Sequence, residues 1–99
     1  MILEVAIFDI VKGQEAAFER QFAQAELVIK QASGYVRHEL QRGIETTTKY
    51  VLLVRWQTLE DHTEGFRQSA LFTQWRALIG PFFATPPAVE HFHLLAEQR

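Results

Sequence analysis

The sequence predicts an α+β fold of the ferredoxin-like kind. Its element order is β-α-β-β-α-β, giving a four-stranded antiparallel sheet with both helices on one face. Three observations lead there. Short runs rich in Val, Ile, Leu, Phe and Tyr alternate with longer stretches whose apolar residues recur at helical spacing. Glycine and proline punctuate the boundaries between them. One run, "VLLV", is apolar at successive positions, so both faces of that strand seek burial. Helices can cover one face of such a sheet. The other face is expected to meet a second sheet, most simply that of an identical subunit, which predicts a homodimer.

Taken in order, residues 2–11 read as the first strand, closed by Gly13. From Gln14 the period changes: Phe18, Phe22, Ala25, Ile29 and Ala32 fall on one helical face, with Glu15, Glu19, Arg20, Gln24 and Lys30 elsewhere. Ser33-Gly34 stops the helix, Gly34 being suited to a left-handed position. Tyr35 to Ile44 is the second strand, "GIETTTK" a turn, and Tyr50 to Gln57 the third strand. Thr58 with Asp61 three residues on resembles a capping box. Ser69 is placed to cap a further helical segment whose stripe is Leu71, Phe72, Trp75, Leu78, Ile79 and Phe82. Gly80-Pro81 and Pro86-Pro87 end it. Val89 to Leu95 is the last strand, before a polar tail. No repeat or linker divides residues 1–99, which are expected to form one domain.

Composition narrows the function classes. The chain has 99 residues, 47% of them hydrophobic, with eight Phe and two Trp, enough for a real core. A net charge of −2 with no block of like charge points to neither nucleic acid nor an anionic membrane. There is no cysteine, so thiol catalysis and thiolate-held zinc are excluded. "MILEVAIFDIVKG" lacks a basic leader, and no apolar run approaches the ~18 residues of a membrane span, so a soluble, cytoplasmic protein is expected. Motifs for dinucleotides, phosphate loops, zinc proteases and serine hydrolases are missing.

Chemistry must therefore come from His, Glu, Asp, Arg, Tyr and Trp. His62 lies in "TLEDHTEGFR" on the same helical face as Leu59 and Phe66, which points an ionisable ring inward. Burial lowers an imidazole's pKa, leaving it neutral and able to accept a proton. The plainer reading is a core-edge histidine satisfied by a hydrogen bond. In "VEHFH", His91 and His93 share a strand face, His91 being the deeper one; a metal would need a third ligand. Trp56, Phe66 and Trp75 are candidate walls for a planar ligand, or simply core. Arg55 and Arg67 are candidate partners for an anion, and Tyr35 a further lining residue. Tyr35, Arg37 and Glu39 alternate with Val36, His38 and Leu40, and the pattern leaves open which set faces inward.

"YVLLVRWQTLEDHTEGFRQSALFTQWRAL", with "EVAIFDIVKGQEAAFERQFAQA", "SGYVRHEL" and "VEHF", resembles the antibiotic biosynthesis monooxygenase family of small dimeric α+β barrel proteins, over nearly the whole chain. The resemblance implies oxidation of quinols, anthrones or related aromatics by molecular oxygen, without metal, flavin or other cofactor. On it, His62 or His91 would be the base, Arg67 or Arg55 the anion stabiliser, and Trp56, Phe66 and Trp75 the walls. The chain contains no asparagine. The asparagine-based mechanism of quinol-oxidising relatives therefore does not carry over, and haem degradation is disfavoured for the same reason. A non-catalytic ligand-binding or stress-related dimer, and a histidine-based isomerase, are the alternatives.

Overall fold

A computed structural model describes residues 1–99. Its elements are β1 (Ile2–Asp9), α1 (Glu15–Ile29), β2 (Tyr35–Arg42), β3 (Lys49–Trp56), a π-helical turn (Asp61–Phe66), α2 (Ala70–Ile79), a 3₁₀ turn (Gly80–Phe82) and β4 (Ala88–His93). The sheet is antiparallel with order β2-β3-β1-β4, and α1 packs against α2. This is the expected α+β, ferredoxin-like arrangement. The expected strand ends run a little long: β2 stops at Arg42 rather than Ile44, and β4 at His93 rather than Leu95.

The α1 stripe is buried as its spacing requires, with Phe18, Phe22, Ala25, Ile29 and Ala32 all in the core. β1 alternates strictly: Ile2, Glu4, Ala6 and Phe8 turn toward the helices. In β3, Tyr50, Leu52, Val54 and Trp56 do the same. The side chains between them, among them Leu3, Val5, Ile7, Val51 and Leu53, point to a sheet face that no helix covers.

Three local features shape the site. Gly34 adopts φ +82°, and a Cβ there would collide with the Asp61 side chain. That side chain is occupied: Asp61 Oδ2 accepts from the Thr58 N–H at 3.1 Å and Thr58 Oγ1 accepts from the Asp61 N–H at 3.2 Å. The capping box is therefore real, and the glycine makes room for it. Second, the Arg67 N–H bonds the His62 carbonyl, five residues back, at 3.0 Å. This wider turn aligns His62 with Phe66 and leaves Leu59 exposed, so the expected Leu59–His62–Phe66 face is shortened by one member. Third, Ser69 sits at the start of α2 in an extended conformation, but its hydroxyl bonds the Phe66 carbonyl at 2.7 Å instead of capping α2.

Candidate active site

Strand register brings the first two groups together. Glu4 of β1 lies directly opposite His91 of β4 and Val54 of β3, and paired residues share a face. All three therefore point under the helices. The π-helical turn then lays His62 over this spot. His62 Nδ1 is 2.8 Å from His91 Nε2, and His62 Nε2 is 3.3 Å from Glu4 Oε1. From the end of β3, Trp56 donates its Nε1–H to Glu4 Oε1 at 3.0 Å and stacks on the His62 ring at 5.3 Å. Glu4 and His62 are the only buried polar or charged residues, and His62 and Trp56 both approach the Oε1 atom of Glu4.

Burial sets their protonation. It pushes the Glu4 carboxyl from 4.5 up to about 7, against the lowering pull of the Trp56 hydrogen bond and the Arg67 charge. It pushes His62 from 6.5 down to about 3, helped by Arg67 and His91. His91 is lowered as well, by burial and then by Arg67. Near neutral pH His62 is an uncharged imidazole beside a carboxyl poised to gain or lose its proton.

Glu4 and His62 open into a cavity of about 270 Å³ between sheet and helices. Ala6, Phe8 and Leu52 form its sheet side, and Ile29, Phe72 and Trp75 its helix side. The exposed members of its lining are Arg67, Arg76 and Pro86, which mark a rim open to solvent. A buried acid–base pair lies at one end of an apolar chamber, with two guanidinium groups at its mouth. Such a chamber can take a small planar ligand, accept a proton from it and stabilise the resulting anion.

The sequence model of the antibiotic biosynthesis monooxygenases matches residues 1–78. The chain belongs to this family. Among relatives, YczJ of Bacillus subtilis, a protein without an assigned activity, is 48% identical over 92 residues, spanning 93% of this chain and 97% of its own. A Bordetella bronchiseptica structure, provisionally placed among the antibiotic biosynthesis monooxygenases, is 41% identical with a TM-score of 0.93, covering 96% of this chain and 97% of that one. SnoaB, a cofactor-independent oxygenase from Streptomyces nogalater, shares the fold at a TM-score of 0.73 and 22% identity, covering 99% of this chain and 94% of its own.

Within this monooxygenase-family fold the expected site residues separate into three groups. His62, Arg67 and Trp75 line the cavity, and His91 stands directly behind His62. Trp56 and Phe66 do not form its walls. Both are buried one layer deeper, where they pack on each other and flank the His62 ring. Arg55 and Tyr35 are off the site. Arg55 follows Val54 and precedes Trp56, so strand alternation turns it to the uncovered sheet face beside Leu3 and Arg37. Tyr35 is displaced by a bulge between it and Arg37, which puts it on the same side as His38. There it bonds His38 Nδ1 at 2.5 Å, while His38 Nε2 lies 2.8 Å from Glu26 Oε1; this chain ties β2 to α1. The inward residues of β2 are thus His38 and Leu40, joined by Tyr35. His93 is exposed at the strand end, and no three His, Asp, Glu or Cys side chains are grouped to hold a metal ion.

Sequence reasoning missed Glu4, Phe72 and Arg76 as site residues. For Glu4 the signal was present: it occupies the same strand phase as Ile2, Ala6, Phe8 and Ile10, which are all buried. A carboxylate on the apolar phase of a strand is the kind of exception that marks a site.

Proposed function

We propose that this protein is a cofactor-independent monooxygenase that oxidises a small quinol- or anthrone-like aromatic with O₂, acting as a homodimer. One observation carries the reading: the Glu4–His62–His91 cluster opens into an otherwise apolar, arginine-rimmed cavity. An electron-rich phenol or anthrone becomes able to reduce oxygen once it has lost a proton. The cluster supplies a base, the apolar walls exclude water, and Arg67 and Arg76 offset the negative charge. With an anthrone the net reaction turns the ring CH₂ into a carbonyl. With a quinol it turns one ring C–H into C–OH while the two hydroxyls become the quinone carbonyls. In both cases one oxygen atom enters the product and the other leaves as water with the two hydrogens removed. The substrate itself is the reductant. At about 270 Å³ the cavity falls below the ~300–1,000 Å³ of sites for drug-sized ligands, which favours quinols of one or two rings over three-ring anthrones within the substrate class.

The test is oxygen uptake by metal- and flavin-free protein against a panel of quinols and anthrones. Saturable uptake with quinone formation is expected. Conversion that persists without oxygen would replace this reading with the isomerase, and binding without conversion would replace it with the ligand-binding dimer.

Dimer formation is supported by the uncovered sheet face, where Leu3, Val5, Ile7, Val51 and Leu53 adjoin the half-exposed Phe92. Leu53→Glu, placed opposite Val5, is expected to shift the sedimentation of the protein from dimer to monomer. An unchanged dimer in that variant would remove this face from the interface.

A further inference from the structure

The cluster contains two groups that could take a proton from a ligand, and their hydrogen bonds distinguish them. A neutral imidazole has one N–H donor and one acceptor nitrogen. His62 Nδ1 is hydrogen-bonded to His91 Nε2 at 2.8 Å, and Nε2 lies 3.3 Å from Glu4 Oε1, a close contact without hydrogen-bond geometry. The tautomer that suits an ionised Glu4 carries its proton on Nε2, on the side of the carboxylate, and Nδ1 then accepts from the His91 N–H. In that tautomer neither nitrogen of His62 offers a substrate a free lone pair. Glu4 is arranged the other way. Trp56 and His62 both converge on Oε1, and Oε2 has no protein partner. No fully enclosed side-chain oxygen in the protein lacks a hydrogen bond, so Oε2 is the atom that Glu4 presents to the cavity it lines.

We propose that Glu4 is the proton acceptor of the reaction, taking the substrate's proton on Oε2, while His62, Trp56 and His91 are positioning residues. For its substrate this assignment rests on the oxygenase reading. The step itself is simple. The O–H bond of a bound phenol breaks, its electron pair stays on the phenol oxygen, and the proton forms an O–H bond with Glu4 Oε2. Negative charge moves from the carboxylate to the ligand, in the chamber that Arg67 and Arg76 rim. The groups facing Glu4 are His62 and Arg67 from the π-helical turn and its end, His91 from β4 and Arg76 from α2; α1 contributes only Ile29 to the same cavity. The protonation states agree with this division. A carboxyl near 7 is matched to proton transfer at neutral pH, whereas an imidazole pushed to about 3 is a weak base.

Two measurements decide it. In the oxygen-uptake assay Glu4→Gln keeps the side chain's shape and its acceptor for Trp56, yet cannot take a proton; kcat is expected to fall ~10²–10⁴-fold. His62→Gln is expected to lose less and to move the rising limb of the kcat/KM pH profile, which a merely structural residue would leave in place. Wild-type kcat in Glu4→Gln would overturn the assignment, as would loss of turnover in His62→Gln alone. The second measurement needs no oxygen chemistry, so it survives failure of the oxygenase reading. It follows 4-nitrophenol binding by calorimetry in buffers of different ionisation heat, at about pH 8, one unit above the Glu4 pKa of about 7. Wild-type protein is expected to take up one proton per probe bound while the probe keeps its yellow, ionised colour, because the proton lands on Glu4. Glu4→Gln should bind the yellow probe without uptake. Bleaching of the probe in wild type, binding without uptake, uptake with colour retained in Glu4→Gln, or no binding at all would each refute Glu4 as the acceptor.

Discussion

Replacing Trp56 with alanine is expected to cost about 3–5 kcal/mol of stability, more than any other single substitution in the site. The indole is fully buried at the end of β3, under the helices. It stacks on His62, meets Phe66 at 5.6 Å and packs edge-to-face with Tyr35 at 6.3 Å. Truncation opens a void beneath the π-helical turn and also removes the Nε1–H that binds Glu4 Oε1. For a chain of this size such a loss lowers Tm by roughly 12–40 °C, to be read at one protein concentration because association shifts Tm. A melting temperature within a few degrees of wild type would show that Trp56 does not hold the site together. Trp56→Phe separates the two effects. It keeps most of the packing but removes a hydrogen bond that favours ionised Glu4, so the Glu4 pKa should rise above about 7.

That substitution also illustrates what a sequence does and does not reveal. The β-α-β-β-α-β order was legible because period and punctuation change together at Gly13, Gly34 and Thr58. The inward faces of β1, β3 and α1 followed from periods of 2 and 3.6. Depth was not legible. Trp56 and Phe66 carry the right phase to line a cavity, but phase cannot tell a wall from the layer behind it. The π-helical turn was also hidden, because one additional residue in a turn leaves no compositional mark. A bulge likewise reversed the phase of Tyr35 relative to Arg37. Arg55 could have been placed correctly from its neighbour Trp56 alone, since adjacent strand residues face opposite ways.

The histidines drew attention because histidine is the usual acid–base residue near neutral pH. The structure shifts the weight to a carboxylate. Glu4 and His91 meet only because β1 pairs with β4 in one register, and His62 joins them from a segment more than fifty residues away from Glu4 in sequence. Pairing across the central strand of the sheet is a tertiary fact. It converts three unremarkable positions into one proton-handling unit.

The same unit predicts an inverted pH dependence of stability on its carboxylate side. Glu4 is expected to ionise near 4.5 when unfolded and near 7 when folded. Between these values the folded state holds a proton that the unfolded state has released, so stability falls as pH rises. The contribution is fully present below about 4.5 and is lost through about 7, a change on the order of 3 kcal/mol at 1.36 kcal/mol per unit. His62 acts in the opposite direction. Its pKa is 6.5 unfolded and about 3 folded, so its contribution to stability rises with pH across that window. From about 4.5 to 6.5 the two slopes oppose each other; above that range only the Glu4 loss remains. Ionised Glu4 attracts a proton to His62 across 3.3 Å and so recovers part of the penalty, which makes ~3 kcal/mol an upper value for the fall. Urea unfolding from pH 5 to 9 should therefore show wild-type stability nearly flat up to about 6.5 and then falling by less than about 1 kcal/mol. Glu4→Gln, which keeps His62, should rise up to about 6.5 and then hold level. Parallel curves would mean that Glu4 ionises in the folded protein as it does in water, and the poised carboxyl would be lost with it. With the expected outcome, the variant that gains alkaline stability is the same one that loses turnover. A carboxylate kept partly protonated by burial weakens the fold at the pH where it is most useful as a base.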